Sequence, residues 1–129
     1  MTSHDDIRQL MQRYARAVDD RDIGGLAPLF HPDARIAGTR AEQSLEEWLD
    51  TMRAPRSFPS SMHFLGEPLI ADGGPDQAEV DTYAVVYQLG DPAAGQGDLT
   101  LGMRYRDQVA LEQGRWVFKR RSSTVVWMR

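Results

Sequence analysis

The chain changes its periodicity once, at Pro55 and Pro59. Ahead of these prolines apolar residues recur at the three- and four-residue spacing of helices, and beyond them they form long strand-like runs divided by turn-rich segments. That order admits few folds. The first helix has Thr2 or Ser3 as its N-cap, Asp5 and Asp6 in its first turn, and a stripe of Ile7, Leu10, Met11, Tyr14 and Val18. Asp22 caps a short second helix in which Leu26, Leu29 and Phe30 face inward, made brief and irregular by Gly24, Gly25 and Pro28. His31-Pro32-Asp33 turns the chain, and Ala34 to Ala37 read as a short strand. Ser44 and Glu47 form a capping box for a third helix with Leu45, Trp48, Leu49 and Met52 at helical spacing. Strands follow at roughly 61 to 70, 78 to 89, 99 to 111 and 115 to 127. They are separated by the turn Asp72-Gly73-Gly74-Pro75-Asp76, a loop from Gly90 to Asp98, and a tight hairpin at Gln113-Gly114.

Three helices followed by four long strands predict an α+β domain whose helices cover one face of a curved antiparallel sheet, with a pocket between the layers. At 129 residues the chain is long enough for one such domain and too short for two. The apolar run Val125-Val126-Trp127-Met128 gives the last strand two apolar faces, one of which should meet another subunit. With 15 basic residues against 19 acidic ones, the net charge of −4 argues against a nucleic-acid partner. The absence of cysteine excludes disulfides, thiolate catalysis and cysteine-ligated metals. A polar, acidic amino terminus fits no signal peptide, and no apolar run approaches the roughly 20 residues of a membrane span, so a cytoplasmic location is expected.

Within this framework a few residues stand out chemically. Tyr14 lies in the middle of the first helix's stripe, and Asp19, five positions on, falls at its edge, whereas Asp20 faces solvent. His63, in Ser60-Ser61-Met62-His63-Phe64, is the only histidine inside a core element; His4 sits in the terminus and His31 in a turn. Three scattered histidines make a poor metal site. A histidine titrates near 6.5 and serves as a general base when a carboxylate behind it fixes its tautomer, and Asp19 is the candidate for that carboxylate. Tyr105 and Asp107 share strand parity with Leu101 and Met103 and so can line the pocket. In the last strand, alternation sets Trp116, Phe118 and Arg120 on one face and Val117, Lys119 and Arg121 on the other, so one arginine looks inward unless a bulge intervenes.

Three segments carry a family resemblance: Tyr14-Ala15-Arg16-Ala17-Val18-Asp19-Asp20-Arg21-Asp22, Leu29-Phe30-His31-Pro32-Asp33-Ala34, and Gly114-Arg115-Trp116-Val117-Phe118-Lys119-Arg120-Arg121. They resemble the SnoaL-like and scytalone-dehydratase-like branch of the nuclear transport factor 2-like superfamily, over nearly the whole chain, and imply a single such domain at 1–129. The resemblance implies a cone-shaped α+β barrel of the cystatin-like kind, a strongly bent sheet around helices with one deep apolar pocket. It also implies dimerisation through the sheet.

In dehydratase and dehydrochlorinase members a histidine paired with an aspartate removes a proton and no cofactor is used. The resemblance assigns these roles to His63 and Asp19, with Tyr14 and Arg121 beside them and Arg120 as the rival of Arg121. Tyr83, Tyr87, Tyr105, Asp107, Phe64 and Trp48 would then line the substrate site. The implied activity is that of a lyase, isomerase or cyclase of secondary metabolism, acting on a small apolar oxygenated molecule such as a polyketide or terpenoid intermediate. The second histidine of the scytalone dehydratase pattern is missing from the strand 78 to 89, where Tyr83, Val85 and Tyr87 alternate. Two alternatives stay open: a binding or assembly protein without turnover, and an epoxide hydrolase-type reaction using Asp81, Arg104 and Asp107.

Overall fold

Helix α1, Ser3–Asp19, buries the stripe read from its spacing: Ile7, Leu10, Met11, Tyr14 and Val18 all face the core. The computed structural model describes residues 3–39 and 41–129, so a cap at Thr2 lies outside the described residues, and Ser3 is already helical. At the other end the chain closes in a Schellman arrangement. Asp22 N–H donates to Ala17 O at 2.9 Å and Arg21 N–H to Val18 O at 3.2 Å, with Arg21 left-handed at φ 52°. Those bonds satisfy carbonyls that the helix end would leave bare, and they fix Asp19 as its last residue.

Asp22 then caps the single turn of α2, Ile23–Leu26, by accepting from Gly25 N–H. Helix α3, Leu45–Arg53, has the expected capping box: Ser44 Oγ accepts from Glu47 N–H at 3.2 Å, and Glu47 Oε1 accepts from Ser44 N–H at 2.9 Å. No described helix is long and apolar enough to cross a membrane.

The strands are β1 (Phe30–Ala37), β2 (Gln43–Ser44), β3 (Ser60–Leu65), β4 (Leu69–Asp72), β5 (Gln77–Leu89), β6 (Leu99–Glu112) and β7 (Arg115–Met128). They form one sheet in the order β2-β1-β7-β6-β5-β3, with β4 also on β5. β1 and β7 run parallel and the other paired strands antiparallel.

Two expectations need correcting. The strand expected at 61 to 70 is two strands, because Pro68 has no N–H to give the ladder and Gly66 lies tight on β5, where an added Cβ would sit 3.1 Å from the Tyr83 carbonyl oxygen. The turn expected at His31-Pro32-Asp33 lies inside β1. It appears there as an irregularity, since Phe30 pairs with Phe118 but Arg35 already with Arg120, and Asp33 N–H folds back onto His31 Nδ1 at 3.0 Å.

The inner face of the sheet packs on α1, α2 and α3 through Phe30, Ala34, Ile36, Ala78, Val80, Val109, Trp116 and Phe118. A second buried cluster, Ala84, Val86, Met103 and Tyr105, continues that face toward β3, with Leu65, Leu101 and Val125 half-buried against it. β7 contains a bulge at Lys119: Gln108 pairs with Arg120 but Val109 with Phe118, so one residue of β7 has no opposite number. The extra residue resets the alternation. Phe118 and Arg121 therefore both point inward, at 0% and 1% exposure.

Candidate active site

Asp19 ends α1 where that helix packs on β3, and β3 carries His63 on its inward face. The two side chains meet: His63 Nδ1 lies 2.6 Å from Asp19 Oδ1. The second carboxylate oxygen accepts the backbone N–H of His63 at 2.8 Å, so ring and main chain of one residue grip both oxygens. Ser61, two residues earlier on the same face of β3, donates its hydroxyl to Asp19 Oδ1 at 2.8 Å. Arg56 donates to Ser61 Oγ at 3.1 Å and to the Asp19 carbonyl at 3.4 Å. Neither Ser61 nor Arg56 stands out in the sequence. The one available signal is the Ser-x-His spacing, which puts two side chains on one face of a strand.

His63 is largely enclosed, its side chain 9% exposed. Burial drives its pKa below the ordinary 6.5; the bond to Asp19 pulls the other way without cancelling it, and the charges of Arg121 and Arg21 add to the lowering. The imidazole is thus neutral at pH 7. With Nδ1 engaged by Asp19, Nε2 is the nitrogen left to accept a proton. Val86 lies directly across from His63 on β5 and Leu65 two residues along β3, giving the imidazole an apolar wall.

The inward faces of β6 and β7 supply a second group. The Arg121 guanidinium stacks between the rings of Tyr14 and Tyr105, 4.0 and 4.1 Å from their centroids, with Phe118 at 4.6 Å. Its Nε is 3.1 Å from Asp107 Oδ1, directly across the β6–β7 ladder. The contact is one of charge and not of alignment, for both Asp107 oxygens and Arg121 Nε and Nη1 are buried without a hydrogen-bond partner. Burial raises the Asp107 pKa to about 7 despite the opposing effect of Arg121. It likewise raises the pKa of Tyr14 and of Tyr105, which stay protonated and able to donate. Trp48 stacks on Tyr14 with ring centroids 6.1 Å apart and packs this corner of the core.

Strand parity sends the other expected lining residues outward. β5 buries Ala78, Val80, Thr82, Ala84 and Val86, so Tyr83 and Tyr87 lie on the opposite face, 57% and 37% exposed. Phe64, next to the inward His63, is 68% exposed. These three line no interior pocket. Phe64 and Tyr83 instead border an apolar groove of about 380 Å³ on the outer face, with Val85, Val126 and Trp127. Arg120 is also turned away and pairs with Glu42. Asp81 and Arg104 form a bidentate pair on the outer face, at 2.9 and 2.5 Å, so the set Asp81, Arg104 and Asp107 is divided between two sides of the sheet.

Comparisons with known proteins bear on the family and the fold. The SnoaL-like domain family matches residues 1–122. No curated protein matches the chain. Among solved structures, a proposed scytalone dehydratase from Novosphingobium aromaticivorans is similar at 20% identity and TM-score 0.84, over 96% of this chain and 84% of that one. The hexachlorocyclohexane dehydrochlorinase LinA-type3 from Novosphingobium barchaimii is similar at 17% identity and TM-score 0.86, over 98% and 88%. A cystatin-like protein of unknown function from Nostoc punctiforme is similar at 22% identity and TM-score 0.79, over 97% and 93%. With its curved seven-stranded sheet wrapped on amino-terminal helices, the fold is that of the nuclear transport factor 2-like proteins, and the chain belongs to the SnoaL-like family.

Proposed function

We propose that the protein is a cofactor-free lyase, isomerase or cyclase of the dehydratase kind, acting on a small, largely apolar oxygenated metabolite such as a polyketide or terpenoid intermediate. The observation that carries this reading is the 2.6 Å contact between Asp19 and a largely enclosed His63, whose pKa burial lowers. His63 Nε2 takes a proton from the carbon next to a substrate carbonyl, and the electron pair of that C–H bond moves onto the carbonyl oxygen. Asp19 holds the imidazolium that results. Tyr14, kept protonated by burial, and Arg121, whose Nε and Nη1 have no hydrogen-bond partner, stabilise the oxyanion. In a dehydration the electron pair returns, a hydroxyl leaves from the neighbouring carbon, and the proton on His63 departs with it as water. Membership of the SnoaL-like family, and likeness to proteins whose names denote elimination of water or of hydrogen chloride, support the class.

On the same reading the working unit is a homodimer joined through the outer face of the sheet, with one SnoaL-like domain over residues 1–129, serving secondary metabolism in the cytoplasm. A second reading, binding without turnover, is favoured by one feature: Arg121 already has a carboxylate beside it and lies under three aromatic rings. Hydrogen–deuterium exchange separates the two. In deuterated water the wild type should exchange the α-hydrogens of a panel of bicyclic ketones faster than buffer does, and His63→Ala should not. Exchange that is equal in both proteins would leave the binding reading.

A further inference from the structure

Asp19 accepts from three donors, and one of them comes from outside the dyad. Ser61 Oγ and His63 Nδ1 share Oδ1 at 2.8 and 2.6 Å, while the His63 main-chain N–H takes Oδ2 at 2.8 Å. A serine hydroxyl has a single hydrogen and rotates freely unless its lone pairs are occupied. Here one is occupied. Arg56 Nη2 points an N–H at Ser61 Oγ from 3.1 Å, which leaves the hydroxyl hydrogen free to turn only toward an acceptor, and the acceptor within reach is the Asp19 carboxylate. The same guanidinium reaches the Asp19 carbonyl through Nη1, tying the relay to the end of α1.

We propose that Ser61 and Arg56 are positioning residues, a relay from Arg56 through Ser61 to Asp19 that locks the carboxylate and thereby fixes which nitrogen of His63 carries the proton. Two oxygens held by three donors cannot rotate about the Cβ–Cγ bond without breaking a charge-assisted hydrogen bond. A carboxylate held in that plane offers Oδ1 to Nδ1–H and keeps Nε2 bare. The consequence for turnover rests on His63 acting as the base; the positioning itself does not.

The test therefore needs no substrate. In uniformly 15N-labelled protein, long-range 1H–15N correlation spectra report the His63 tautomer and its titration. The wild type should show Nδ1 protonated and Nε2 bare. Ser61→Ala should introduce the other tautomer and lower the titration midpoint by about half a pH unit, because a carboxylate free to turn holds the imidazolium less firmly. Ser61→Thr keeps the hydroxyl and a strand-compatible side chain, and should restore both wild-type values. Arg56→Gln should shift them the same way but less, since the hydroxyl survives and loses only its orientation. Wild-type tautomer and midpoint in folded Ser61→Ala overturn the proposal, and Arg56→Gln repeats that test if Ser61→Ala does not fold. Should the spectra shift as expected while His63→Ala retains ketone exchange, the relay stands and the general-base reading falls. Unchanged spectra alongside lost exchange would mean the reverse.

Discussion

Two carboxylates face the same interior, and their partners fit them for different tasks. Asp19 takes three donors and holds His63. Asp107 takes no aligned donor and sits beside Arg121 with its pKa raised to about 7. For Asp19 and His63 the expected outcome is kinetic. His63→Ala should slow ketone exchange about 100-fold or more, and Asp19→Asn nearly as much through lost tautomer control. The double variant should be little worse than either, because the two act as one unit. Additive losses would mean that they act separately.

For Asp107 the expected outcome is in stability. A carboxyl whose folded pKa lies above its unfolded value of about 3.9 binds its proton more tightly when folded. Its stabilising contribution is full below about pH 4 and is lost as pH rises toward 7. Asp107→Asn should therefore match the wild type at pH 4 and exceed it at pH 8 by about 2 kcal/mol in urea unfolding; each tenfold gain in proton affinity is worth ~1.4 kcal/mol, and relaxation around the charge returns part of it. A loss at pH 8 would instead mark an ionised pair that stabilises the fold. His63 has the opposite sign: its pKa is lowered, so its contribution is present above about 6.5 and is lost as pH falls below that value.

At the scale of elements, the local signals were the legible ones. The Ser44–Glu47 box can be read from four residues, and it caps α3 by both of its bonds. Ser44→Ala should cost about 1 kcal/mol in thermal or urea unfolding, and no loss would mean that α3 is held by packing alone. The stripe of α1 and the end of that helix at Asp19 were legible for the same reason, since helical period and turn chemistry act within a few residues.

What the sequence hides is non-local. Nothing in Trp116-Val117-Phe118-Lys119-Arg120-Arg121 announces a bulge, which exists only in the pairing of β7 with β6, yet it lets Phe118 and Arg121 face inward together. In β5 the parity of Tyr83, Val85 and Tyr87 also carries Glu79 and Asp81, the one local sign that this face turns outward, and the apolar run from Tyr83 to Tyr87 masks it. Arg56 joins the site from a loop, through a contact spanning 37 positions of chain, and spacing carries no trace of it.

At the scale of the whole molecule, the outer face of the sheet carries a large share of the exposed apolar side chains, the basis for the proposed dimer. Phe64, Tyr83 and Trp127 are 68%, 57% and 41% exposed and border one groove, with Met62, Val126 and Met128 also exposed nearby in the chain. Trp127 lies flat on the strand beneath it because position 102 is glycine; a Cβ there would come within 2.1 Å of the indole Nε1. A second register shift, between Gly102 and Met103, brings Trp127 opposite Gly102 and leaves Val126 as the extra residue. Arg104 on this face is paired within the chain by Asp81, so that pair can be covered without stranding an ion. A second copy meeting it would bury on the order of 1,200 Å² or more. Sedimentation at micromolar concentration should accordingly give a mass near twice the 14.6 kDa of the chain. The double change Phe64→Arg and Trp127→Arg sets four like charges against one another across the contact and should yield monomer. Because His63 points away from that face while Phe64 points into it, the monomer should keep the wild-type tautomer of His63 and its pairing with Asp19. A wild-type mass near 14.6 kDa would rule the dimer out, and loss of the His63 signal in the monomer would show that the outer face also supports the site.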